Sequence, residues 1–155
     1  MLIFGNWGDV SLVKVDGYEL REGLYYWPKG LTWAKVEPDG RVRVGLTDLG
    51  QGIAKRIRSV RIRPKGKTVD QGKAVATMET TKWVGPIESP ISGAIEEVNE
   101  TLKRKPTLIN EDPYGEGWIA LLKPTKPEEL ETLIHGEIIV RWYKREIATR
   151  VKEKR

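Results

Sequence analysis

The chain has 155 residues, enough for one compact domain and too few for two independent cores. It contains no Cys and a single His, which leaves no basis for disulfides, iron–sulfur clusters, thiolate zinc sites or catalysis by a Cys–His or Ser–His–acid set. The net charge is +5, yet residues 141–155 hold seven Lys/Arg against two Glu, so residues 1–140 balance and the basic character sits in the tail.

In chain order, the start Met1-Leu2-Ile3-Phe4 reaches Asp9 without the apolar run of a signal peptide. No stretch approaches the roughly 18 apolar residues of a membrane span. A soluble protein of a reducing cytoplasm is the expectation. Sixteen Gly and nine Pro separate short apolar runs, the pattern of a turn-rich β protein. Leu12 to Val15 and Leu24 to Trp27 are such runs. Residues 32–36 and 41–45 alternate on either side of Pro38-Asp39-Gly40, a hairpin signal. Thr47-Asp48 predicts the cap of a short helix over residues 49–55. Residues 59–63 alternate again, and strands over 74–79 and 84–88 bracket Thr80-Thr81-Lys82-Trp83. Residues 93–98 make another strand, 102–110 a short helix interrupted at Pro106, and 118–122 an apolar strand anchored by Trp118. From Pro127 the spacing of Leu130, Leu133, Ile134, Ile138, Trp142, Ile147 and Val151 predicts amphipathic helix, divided at His135-Gly136.

A lysine at a hairpin tip offers an amine on a flexible stem where another protein reaches it, although a lone surface lysine is by itself uninformative. Its surroundings are specific. Glu79-Thr80-Thr81-Lys82 followed by Ser89-Pro90-Ile91-Ser92-Gly93-Ala94-Ile95-Glu96-Glu97-Val98-Asn99 resembles the lipoyl-attachment region of glycine-cleavage H proteins. Pro106-Thr107-Leu108-Ile109-Asn110-Glu111-Asp112-Pro113-Tyr114-Gly115-Glu116-Gly117-Trp118 resembles that family's second signature, and Val44-Gly45-Leu46-Thr47-Asp48 its early strand-to-helix junction. The resemblance covers residues 24–135. It divides the chain into an N-terminal extension (1–23), an H-protein-like lipoyl-binding domain (24–135) and a basic helical C-terminal extension (136–155).

The resemblance implies a mainly β fold, a barrel-sandwich hybrid with short helices, and lipoic acid bound covalently to Lys82. Glu79 and Gly93 match positions tied to recognition by the lipoylating enzyme. Gly93 would serve a close approach or a positive φ where the chain reverses. Trp83, beside the arm, covers the lipoyl group, meets a partner or packs locally, and the sequence leaves these open. The implied protein is a monomeric carrier and no enzyme. Its partners would be a lipoate ligase or lipoyl transferase, with glycine decarboxylase, aminomethyltransferase and dihydrolipoamide dehydrogenase. A related group of H-like lipoate-binding proteins instead serves heterodisulfide-reductase-like sulfur oxidation. Lys82 is followed by Trp83-Val84-Gly85-Pro86 where small residues are usual, and Lys55-Arg56-Ile57-Arg58 and Arg61 to Lys65 stand where acids are usual; these departures bear on which enzymes dock.

The remaining candidates are weaker. Asn110-Glu111-Asp112 lacks a His or Cys partner for a metal, and Gly115-x-Gly117 lacks the Lys of a phosphate loop. Nucleic-acid binding through residues 141–155 is set against the apolar residues on that same segment, so neither nucleic acid nor membrane is expected as a partner. A role of the tail in docking rather than in the fold is the expectation.

Overall fold

The computed structural model describes residues 11–152; the start of the chain and the last three residues of the basic tail lie outside the described residues. A first hairpin joins β1 (Leu12–Val15) to β2 (Tyr18–Arg21). Then come β3 (Tyr25–Trp27), β4 (Thr32–Val36), β5 (Val42–Leu46) and helix α1 (Asp48–Ala54). Strands β6 (Ile57–Ile62), β7 (Thr68–Val69), β8 (Ala74–Thr80), β9 (Val84–Glu88) and β10 (Gly93–Val98) follow. One-turn helices α2 (Thr101–Arg104) and α3 (Leu108–Glu111) precede β11 (Ala120–Pro124) and the closing helix α4 (Ile139–Lys152).

Two antiparallel sheets carry the fold. One has six strands in the order β3-β4-β5-β11-β10-β7, the other three in the order β6-β8-β9. They share one core, with Val42, Val44, Ile95, Ile119 and Leu122 from the larger sheet and its approaches meeting Ile57, Val75, Met78 and Ile87 from the smaller. The alternation of buried and outward residues along β8 and β10 puts one face of each on this core. The result is the expected mainly β sandwich with short helices and a C-terminal helix.

Local chemistry explains the elements that the sequence announces. Pro38-Asp39-Gly40 closes the β4–β5 hairpin with Gly40 at φ +90°, and the register runs from Val36 opposite Val42 to Thr32 opposite Leu46. Thr47 caps α1, its hydroxyl oxygen accepting from Gly50 N at 3.0 Å. Trp33 faces Gly45 across β4 and β5, where a side chain on Gly45 would collide with the indole. The Trp33 Nε1–H is shared between the carbonyls of Leu46 and Pro113, both at 3.1 Å, which ties the hairpin to the second signature.

Several expectations need correction. The helix expected after Pro127 is divided at His135-Gly136 as the spacing predicts, with α4 on the far side, but on the near side it is a 3-10 helix over Pro127–Thr132 only, and Ile134 makes a bridge with Tyr26, donating to and accepting from its backbone at 3.0 and 2.9 Å. Backbone pairing to β3 thus overrides the helical spacing of Leu130, Leu133 and Ile134. The strand expected from residue 118 begins at Ala120, and Trp118 is half-buried under the guanidinium of Arg43, 4.5 Å from the ring centroid. Ile138 is exposed and lies in a short 3-10 turn before α4. The expectation that the tail serves docking rather than the fold is corrected as to the fold. Ile139, Tyr143 and Ile147 of α4 are buried with Leu20, Leu24, Tyr26, Leu31, Trp33 and Leu49 in a second apolar cluster.

Three phenols organise that cluster. Tyr143 and Tyr114 both donate to the Glu19 carbonyl, at 2.8 and 2.9 Å, while accepting from Leu49 N and Asp48 N, at 2.9 and 3.2 Å. Tyr26 donates to Arg21 O and accepts from Arg21 N. Burial pushes all three phenols well above their ordinary value of 10.0. A phenol whose folded value is raised holds its proton in the native state, so its contribution is intact below the unfolded value near 10 and is lost as pH rises above it. Alkaline titration followed at 295 nm and by circular dichroism is expected to show these three phenolates appearing together with cooperative unfolding. Their appearance in a still-folded protein near pH 10.0 would contradict the arrangement.

Candidate functional site

The β8–β9 hairpin pairs Glu79 with Val84, which leaves Thr80 to Trp83 to make the turn. Thr80 shapes it. Its backbone N–H donates to Trp83 O at 2.9 Å, and its buried hydroxyl oxygen accepts from both Lys82 N and Trp83 N at 3.2 Å. A threonine closing a turn in this way is a recognised local motif. In the sequence, its place two residues before Lys82 is the signal that marks Thr80 as shaping the turn. Lys82 stands exposed at the tip, and among the described residues no carboxylate is paired with its amine.

Trp83 is 42% exposed, and its ring lies over Gly85, where any side chain would displace it. Local packing and exposure therefore coexist at this indole. Glu79 is exposed on β8 beside the tip and accepts from Ser59 Oγ at 3.1 Å. Gly93 meets one of its two expected roles, the close approach, and not the other. It is no turn residue and has no positive φ; it is the first residue of β10, paired to Val69 on one side and Pro124 on the other. Strand β9 leads away from the tip to Glu88, so Gly93 lies at the opposite end of the sandwich from Lys82 and is not brought against Glu79. The close approach is what requires glycine there: a Cβ would sit 2.6 Å from the Lys123 carbonyl oxygen.

Beside the tip runs a groove of about 390 Å³, walled by Tyr18, Gly52 to Lys55, Lys82, Trp83, Arg150 and Val151. Its walls come from parts far apart in sequence. Tyr18 lies on β2 with its ring against Gly52 of α1, at a distance that leaves no room for a larger residue. Arg150 of α4 is fixed by Glu146 at 2.8 Å and by the Pro28 carbonyl at 3.0 Å. The second signature holds the end of α1. Asn110 Oδ1 accepts from Ile57 N at 3.0 Å, and its Nδ2 donates to Gln51 Oε1 and Lys55 O at 2.9 and 2.8 Å. Glu111 pairs with Lys105 at 3.2 Å, and Asp112 accepts from Glu116 N at 2.8 Å. The three adjacent polar residues thus diverge into separate structural bonds. Among the described residues no group of three or more His, Cys, Asp or Glu is arranged to hold a metal, and no helix is long and apolar enough to cross a membrane.

Comparison with known proteins shows what the chain is similar to. The sequence model of the glycine cleavage H-protein family matches residues 24–146. The chain is 44% identical over 140 residues to a probable glycine cleavage system H protein 2 of Saccharolobus solfataricus, covering 89% of this chain and 95% of that protein. It is 50% identical over 128 residues to glycine cleavage system H protein 2 of Aquifex aeolicus, covering 80% of each. The crystal structure of a glycine cleavage system H protein from Mycobacterium marinum superposes with a TM-score of 0.64 at 32% identity, covering 68% of this chain and 87% of that one.

The buried contact at Gly93 gives a prediction independent of any activity. Gly93→Ala is expected to lower stability by about 1–3 kcal/mol, because the obstructing atom is a backbone carbonyl that cannot swing aside. Thermal unfolding measures this, and an unchanged midpoint would show that β10 and β11 separate freely.

Proposed function

The chain belongs to the glycine cleavage H-protein family, and from that premise we infer that it is a lipoyl-carrier protein, not itself an enzyme, whose Lys82 bears lipoic acid as an amide. One observation supports the site above others: Lys82 is an exposed amine with no ion-pair partner among the described residues, at the tip of a hairpin whose base is rigidly bonded. Acylation of such an amine costs the fold no ion pair. When attached, lipoic acid supplies a dithiolane that is reduced, loaded and reoxidised by partner enzymes.

The chain's own residues do the positioning. Thr80 fixes the backbone from which the arm departs. Glu79 gives the lipoylating enzyme, a lipoate ligase or lipoyl transferase, a carboxylate three residues before the target. Gly93 serves the same recognition indirectly, by letting β10 close on β11 so that the sandwich beneath the hairpin keeps its shape. The groove offers the arm an apolar resting wall of Ile53, Trp83 and Val151. In this reading the cargo is an aminomethyl group passed between glycine decarboxylase, aminomethyltransferase and dihydrolipoamide dehydrogenase. The relatives reported above are all named for glycine cleavage, and nothing in them supports the sulfur-carrying alternative.

Incubation with lipoate, ATP and a lipoate ligase is expected to add the mass of one lipoyl group, located to Lys82 by peptide mapping. Lys82→Arg should gain none while keeping its unfolding midpoint. Glu79→Gln should be modified at least several-fold more slowly, since it loses a charge-assisted contact. Full modification of Lys82→Arg would place the site elsewhere.

A further inference from the structure

The end of α1 carries a backbone conformation that a lysine rarely adopts. Lys55 sits at φ +68° and ψ −158°, a region open to glycine and strained for a side chain with a Cβ. It is held there from both sides: its N–H donates to Gln51 O at 2.9 Å, and its carbonyl accepts from Asn110 Nδ2 at 2.8 Å. Strain of this kind persists where surrounding structure over-determines it, and it gathers at working sites. A glycine would relieve it.

Lys55 also lines the groove with Lys82 and Trp83. Among the described residues, no Asp or Glu lines that groove. Of its three cations, Arg150 is committed to Glu146 and the Pro28 carbonyl, and Lys82 loses its charge once acylated. Lys55 has no carboxylate within ion-pair distance among the described residues. Among the described residues, the strained lysine is thus the uncommitted charge of the groove in a loaded carrier.

We propose that Lys55 sets which form of the arm the groove accepts: it favours the reduced arm as a thiolate and gives a protonated amine cargo no counter-charge. The proposal rests on the reading of Lys82 as the lipoylated residue. Its physics is that of a cation beside an ionising thiol. The thiol proton leaves to water, and the nearby ammonium stabilises the anion that remains. The apolar wall of Ile53 and Val151 takes the hydrocarbon stem, so the charged end is the part that discriminates. Because Lys55 is exposed, the effect is modest and is screened by salt.

The test uses full-length protein, lipoylated and verified by intact mass, then reduced with a water-soluble phosphine. The rate of alkylation by iodoacetamide is followed from neutral to alkaline pH, with free dihydrolipoamide as the reference. The arm's thiolate is expected about half to one pH unit below the reference. Lys55→Arg should keep the shift, Lys55→Gln should lose it, and molar salt should shrink it. Lys55→Gly should lose it too while melting higher than the parent, which separates loss of charge from loss of fold. A parent protein that titrates like free dihydrolipoamide, or a shift that survives in Lys55→Gln and Lys55→Gly, would overturn the proposal. Failure to gain lipoyl mass at Lys82 would instead overturn the reading beneath it.

Discussion

The carbonyl oxygen of Glu19 accepts two phenolic hydrogen bonds, from Tyr114 and Tyr143, and much of the site's geometry follows from that junction. Each phenol also accepts one of the first N–H groups of α1, donors that a helix cannot satisfy within itself. Asp48 completes the exchange by accepting from Glu19 N at 2.7 Å. The N-terminal hairpin, the start of α1, the second signature and the C-terminal helix are thereby fixed to one another through buried polar groups. Losing one partner would strand others without water, which makes such a network rigid.

On the proposed reading of Lys82 as the attachment point, that rigidity is applied where a carrier needs it. The phenol junction holds one end of α1 and Asn110 holds the other, so the helix stands as a fixed wall beside the hairpin of Lys82. The hairpin is stiff in its own right, since Thr80 satisfies two turn donors with one hydroxyl. Motion is left to the side chain of Lys82. A mobile arm on a mobile base would sample too wide a volume to meet a partner's site efficiently, whereas a fixed base confines the search.

What was legible in the sequence was local. The Pro38-Asp39-Gly40 hairpin, the Thr47 cap, the paired short helices around Pro106 and the exposed Lys82 turn each depend on neighbouring residues, and each stands where the spacing puts it. What escaped depends on distant partners. The two-residue strand β7 exists because Thr68 and Val69 pair with Ala94 and Gly93. Ile134 leaves a helical register because Tyr26 offers it a bridge, across a hundred residues of chain. The role of Gly93 follows from the Lys123 carbonyl opposite it, and nothing near Gly93 in sequence distinguishes that from a turn. The groove escaped for the same reason, as β2, α1, the hairpin and α4 meet only in the folded chain.

Charge shows the same contrast between sequence and space. Counted along the chain, the positive excess belongs to the tail, yet in the fold part of the tail's charge is internal. Arg150 faces Glu146 and a backbone carbonyl, and α4 buries three apolar residues in the second cluster. A second exposed positive surface lies elsewhere. Arg56, Arg58, Arg61, Arg63, Lys65 and Lys67 are all exposed, no acid interrupts them, and none has an ion-pair partner among the described residues. Strand β6, which carries several of them, pairs with β8 along its length and so flanks the hairpin that ends in Lys82. Electrostatic attraction acts over roughly 10 Å at ordinary ionic strength, so what counts is proximity to the tip rather than the sum over the chain. Near the tip, Ile57 and Ser59 of β6 pair with Thr80 and Glu79, while Arg150 of α4 lines the groove beside Lys82, so β6 and the tail both bring positive charge to the hairpin.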